Sequence, residues 1–66
     1  MKIYLNGEER EIPDNTTAAI LVESMGLSGK RIAMEVNMEI VPRSQHDSTA
    51  LQDQDSLEIV HAIGGG

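Results

Sequence analysis

The sequence predicts an α+β domain in which a mixed sheet of about five strands carries one helix packed across one face. Three observations predict it: short runs of strand periodicity near both ends and in the middle of the chain, a single amphipathic helical stripe between them, and turn-forming residues that separate the runs. At 66 residues the chain is one domain, with room for one layer of helix against one sheet. Hydrophobic residues make up 39% and charged residues 24%, a balance that suits a packed domain rather than a disordered one. Tyr4 is the only aromatic residue, so the core must be aliphatic, with methionine as filler.

Met1 to Asn6 alternates, with Ile3 and Leu5 on one face and Lys2, Tyr4 and Asn6 on the other, which is the period of a half-buried strand. Asn6-Gly7 supplies the positive φ values of a tight hairpin turn, so Glu8 to Ile12 should return antiparallel until Pro13 ends the strand. Asp14-Asn15-Thr16-Thr17 offers side-chain acceptors for the free amides of a helix start. Ala18, Leu21, Val22 and Met25 then recur at i, i+3, i+4 and i+7 as one apolar stripe, with Ile20 off it and partly exposed. Gly26 suits the left-handed residue that closes a helix.

Ile32, Met34 and Val36 alternate with Ala33, Glu35 and Asn37 in a third strand. Asn37-Met38 reads as a turn without the usual glycine, and Glu39 to Val41 as a short fourth strand that Pro42 limits. Ser44 to Ala50 is polar, suited to a turn or a short helical piece, with Leu51 as its anchor. After an Asp53-Gln54-Asp55 turn, Leu57 and Ile59 alternate with Glu58 and Val60 in the last strand. The first and last strands are expected to pair in parallel at the centre of the sheet, with the rest of the chain as the crossover.

Net charge is −6, so the field of the molecule repels polyanions. Nucleic acid and anionic membrane surfaces are excluded as expected partners, and a basic protein surface is the natural complement. The chain starts at Met1 without a leader-like segment, and no apolar run approaches membrane-spanning length; a cytoplasmic location is the expectation. There is no cysteine, which excludes disulfides, a cysteine nucleophile and thiolate metal sites.

Gly64-Gly65-Gly66 follows the last strand directly. Glycine lets another molecule approach the main chain closely, so such a tail can thread a narrow slot and present the Gly66 carboxylate inside a partner's active site. A frayed terminus is the alternative. The reading divides the chain into a domain over 1–63 and a flexible tail over 64–66.

This order of elements, with the glycine tail, resembles the β-grasp or ubiquitin-like fold. Within it, the chain is similar over essentially its whole length to the ThiS family of thiamine-biosynthesis sulfur carriers. Met1-Lys2-Ile3-Tyr4-Leu5-Asn6-Gly7 looks like their opening strand and turn, and Glu39-Ile40-Val41-Pro42-Arg43 like their Val-Pro-Arg region. The most specific segment is Ser56-Leu57-Glu58-Ile59-Val60-His61-Ala62-Ile63-Gly64-Gly65-Gly66, which closely resembles their closing strand and tail. The chain departs from the family at Asn37-Met38, where many members carry a glycine-containing turn, and at Asp53-Gln54-Asp55, where Asp-Gly-Asp is common.

The resemblance implies a carrier, not an enzyme. Its terminal carboxylate, on Gly66, is expected to be adenylated by a ubiquitin-activating-like adenylyltransferase that uses ATP and magnesium. A cysteine-derived sulfur donor system then converts it to a thiocarboxylate, whose sulfur goes to thiazole synthase. Gly64 and Gly65 form the threading tail; Val60, His61 and Ile63 are candidate partner contacts, with ordinary packing as the competing reading for Val60 and Ile63. No bound cofactor and no metal are expected. Related readings are a carrier for another pathway, such as the small subunit of molybdopterin synthase, and a ubiquitin-like module that binds through its sheet without covalent change.

The residues fit that chemistry on their own terms. A carboxylate is a poor electrophile until one oxygen becomes a good leaving group, and the chain has no GxxxxGK[ST] phosphate cradle, so a partner must supply the nucleotide site. Without cysteine, covalently carried sulfur has to sit on the terminal carboxyl group. His61 beside the tail invites a general-base role, which a carrier acted on by its partner does not need. Asp53 and Asp55 are read as solvated turn residues rather than metal ligands.

Overall fold

In the computed structural model, which describes residues 1–61, the strands are β1 (Lys2–Leu5), β2 (Glu8–Glu11), β3 (Ile32–Val36), β4 (Glu39–Ile40) and β5 (Ser56–His61). One α-helix, α1 (Ala18–Ser24), and a 3₁₀ helix, Arg43–Ser48, join them. The sheet order is β2-β1-β5-β3-β4. β1 and β5 pair in parallel at its centre and the other neighbours are antiparallel, as the β-grasp arrangement requires.

Turn chemistry sets the two hairpins. Asn6 (φ 51°) and Gly7 (φ 83°) are both left-handed, the geometry whose twist matches that of the flanking strands. Asn37 (φ 51°) and Met38 (φ 70°) make the same kind of turn between β3 and β4 with no glycine at all. Gln54 (φ 74°) occupies the left-handed position of the turn before β5.

α1 starts at Thr17, whose hydroxyl accepts the Ile20 amide at 3.2 Å. It ends at Met25 followed by Gly26 (φ 72°). The predicted stripe points inward: Ala18, Leu21 and Val22 are buried, Met25 packs at the margin, and Ile20 is half-exposed. These residues meet Ile3 and Leu5 of β1, Met34 of β3, and Leu57 and Ile59 of β5, the inward set that period-2 alternation selects.

The 42–55 crossover is pinned at two places. Ala18 donates its amide to Thr49 and Leu51 donates to Thr16, both at 2.9 Å, which ties the loop to the helix start and buries Leu51. The 3₁₀ helix packs on α1 and buries His46, whose Nε2 lies 3.2 Å from the Val41 carbonyl. The polar loop of the sequence reading is therefore a short helix with one residue in the interior.

Candidate functional site

β5 is the strand that leads into the glycine segment. It runs between β1 and β3, and its inward residues Leu57 and Ile59 belong to the core. Along β3 its register is continuous, from Val36 opposite Leu57 to Ile32 opposite His61. Along β1 the pairing is shorter, because Asn6 turns away after Leu5.

Asn6 compensates with its side chain. Its backbone amide donates to the Leu57 carbonyl at 2.9 Å. Its Oδ1 then accepts the Ile59 amide at 2.9 Å, and its Nδ2 donates to the Ile59 carbonyl at 3.1 Å. The carboxamide thus stands where the next peptide unit of β1 would be, and the strand stays paired on both sides up to Ile59. Asparagine serves twice here, since it also tolerates the left-handed turn geometry. The sequence reading saw only the turn; nothing local signals a bond to a residue 53 positions away.

The other end of β5 is held by Asn37, which donates its amide to the Ser56 carbonyl at 2.7 Å and accepts the Ser56 amide on Oδ1 at 3.0 Å. Its Nδ2 reaches Asp55 Oδ1 at 2.9 Å. Asp53 Oδ1 accepts the Lys2 amide at 2.8 Å, and Asp55 Oδ2 accepts the Gln52 amide at 2.8 Å. Both carboxylates are thus occupied by the protein's own donors. The Lys2 amide, then the Gln54 side chain, hold the Asp53 carboxyl below its ordinary pKa. Among the described residues, no group of three or more His, Asp or Glu is placed to hold a metal ion.

The candidate contact residues divide between faces. Val60, directly opposite Ala33, lies on the open face of the sheet, away from α1, and is 56% exposed; ordinary core packing does not account for it. His61, opposite Ile32, lies on the helix side at the end of the strand and is exposed. Ile63 and the tail residues Gly64, Gly65 and Gly66 lie outside the described residues, as does the end of the 1–63 domain boundary.

The described surface includes two depressions. The larger, about 180 Å³, lies between α1, the turn before β3 and the 3₁₀ helix, and no β5 residue lines it. The smaller, about 130 Å³, sits on the open sheet face against Glu58 and Val60 of β5. No helix among the described residues is long and apolar enough to cross a membrane.

Comparison with known proteins agrees with this geometry. Residues 3–66 match the ThiS family. The sulfur carrier protein ThiS of Bacillus subtilis is 35% identical over 65 residues, covering 97% of this chain and 98% of that protein. A thiazole synthase of Paramagnetospirillum magneticum is 44% identical over 66 residues, all of this chain, but this chain spans only 20% of that protein's length. Among solved structures, the thiamine biosynthesis protein ThiS of Geobacter metallireducens superposes with a TM-score of 0.87 at 23% identity, covering 100% of both chains, which shows the shared β-grasp fold.

Proposed function

The chain belongs to the ThiS family, and from that premise we propose that it is a sulfur carrier for thiazole formation in thiamine biosynthesis. The observation that carries the reading is β5: a central strand, paired on both sides and clamped by Asn6, leads into a glycine segment that the family match includes. A rigid strand followed by residues without side chains is suited to delivering a carboxylate into a narrow site at a fixed distance from a docked domain.

In the proposed chemistry a Gly66 carboxylate oxygen attacks the α-phosphorus of ATP and pyrophosphate leaves. The activating enzyme supplies the magnesium and the phosphate site, since this chain has no phosphate-cradling motif. A cysteine-derived persulfide then attacks the acyl carbon and AMP leaves. A second thiol cleaves the resulting sulfur–sulfur bond, so that a disulfide forms and the thiocarboxylate remains on Gly66. The chain has no cysteine, so both thiols belong to partners.

Thiazole synthase is the proposed acceptor. The likeness to one fifth of a chain named thiazole synthase supports it, because there a domain of this kind belongs to the same polypeptide as the rest of that protein. On this reading the chain is a cosubstrate in the cytoplasm, not a catalyst. Gly64 and Gly65 form the thread, and Val60, His61 and Ile63 are the proposed partner contacts that precede it in the sequence.

The test is intact mass after incubation with ATP, magnesium, a ThiS-activating adenylyltransferase and a sulfur source, with the Bacillus subtilis carrier converted in parallel. A gain equal to one oxygen replaced by sulfur, mapped by fragmentation to Gly66, is expected. An unchanged mass beside a converted control overturns the carrier reading and leaves a module that binds without covalent change.

A further inference from the structure

The register of β3 against β5 places Glu35 directly opposite Glu58, and that of β3 against β4 places Ile40 opposite Glu35. All three side chains share the open face with Ala33 and Val60. Like charges directly opposite each other on neighbouring strands destabilise a sheet. Among the described residues no lysine or arginine forms an ion pair with Glu35 or Glu58: Lys2, on β1, lies beside Glu9 at 3.8 Å and over the Tyr4 ring.

The same place carries exposed apolar surface. Ile40 is 77% exposed and Val60 56%, and together with Ala33, Met34 and the two glutamates they line the depression of about 130 Å³. An apolar centre edged by charge of one sign is the composition of a docking surface for a partner of opposite sign. The chain's net charge of −6 acts in the same direction at longer range.

We propose that Glu35 and Glu58 form a cation-receiving pair on an apolar docking patch of Ile40 and Val60, and that its occupant is an arginine or lysine of thiazole synthase whose stem lies against the patch. This rests on the carrier reading for the partner. Val60 is part of β5, so the enzyme that holds the patch also holds the root of the tail. The glutamate pair costs the free domain stability, and the partner's cation offsets that cost in the complex. Specificity is thereby gained, because a partner with a neutral or acidic surface leaves two facing carboxylates uncompensated.

The experiment measures binding of the full chain to thiazole synthase by calorimetry and the thermal midpoint of each variant alone. Glu35→Gln with Glu58→Gln is expected to raise the midpoint of the free domain and to weaken binding. Glu58→Lys is expected to weaken it by about tenfold or more. Glu23→Lys on the exposed side of α1, with the same change in net charge, is expected to leave affinity within about twofold. Equal losses from Glu58→Lys and Glu23→Lys reduce the effect to net charge and overturn the proposal, as does unchanged affinity in Glu58→Lys. If the native chain gains sulfur on Gly66 yet does not bind thiazole synthase, this proposal falls and the carrier reading stands. If Gly66 is never modified but the patch variants still lose affinity, the reverse holds.

Discussion

The side-chain amide of Asn6 reproduces one peptide unit of a strand for Ile59, accepting its N–H at 2.9 Å and donating to its carbonyl at 3.1 Å. This pair closes the parallel half of the sheet at the end from which the glycine segment departs. Asn6→Gly keeps the left-handed turn accessible and removes both bonds, so it isolates the clamp from the turn. We expect a loss of about 2 kcal/mol, from two part-buried hydrogen bonds. Denaturant unfolding reads the stability, and faster amide exchange at Ile59 than at Leu57 locates the loss. Equal protection at both positions would show that the clamp does not hold the strand.

Gly65 and Gly66 have no side chains, so removing them takes no side chain from the core. The thermal midpoint is expected to stay within a degree or so of the native value while all gain of sulfur is lost. A shortened chain that is still modified by the activating enzyme would move the reactive group away from Gly66.

Met38 sits at φ 70° and is 92% exposed, so its side chain contributes no packing and its backbone is strained. Met38→Gly is expected to stabilise the domain by about 1 kcal/mol. A shift of the urea midpoint with an unchanged slope would demonstrate it. Gln54 at φ 74°, also exposed, should respond to Gln54→Gly in the same direction. The two family departures seen in the sequence thus both fall where a non-glycine residue holds a left-handed turn, as Asn6 and Asn15 do elsewhere in the described chain.

Acid should act through Asp53. Its folded pKa lies below the unfolded carboxyl value of about 3.9, chiefly because the Lys2 amide bonds to the ionised form. A depressed folded pKa means that the stabilisation is fully present above the unfolded value and is lost as pH falls through the folded one. The difference in unfolding midpoint between the native chain and Asp53→Asn is therefore expected to be greatest above about pH 4 and to shrink as pH falls below it. A difference that does not change with pH would remove Asp53 from the account.

Much of this molecule was legible before any coordinates. The alternation of Ile3 with Leu5 and of Leu57 with Ile59, the helical stripe from Ala18 to Met25, the Asn6-Gly7 turn and the Gly26 closure are local features. Each depends on dihedral preference or on the period of one element, so a window of a few residues contains the whole signal. The parallel pairing of β1 with β5 followed from the order of those elements and a helix that must be covered.

What the tertiary structure alone decided concerns residues far apart in the chain. Alternation put Val60 and His61 on opposite sides of a strand, but only the position of α1 shows that Val60 faces outward on the open sheet. His46 is interior because a six-residue 3₁₀ helix packs on α1, and a run so short has no periodicity to announce a buried side. Asn6 clamps Ile59, and Glu35 faces Glu58, only once the sheet has closed in one register. Register is set by which apolar faces the core accepts, so charges and amides carried into opposition by it leave no local trace in the sequence.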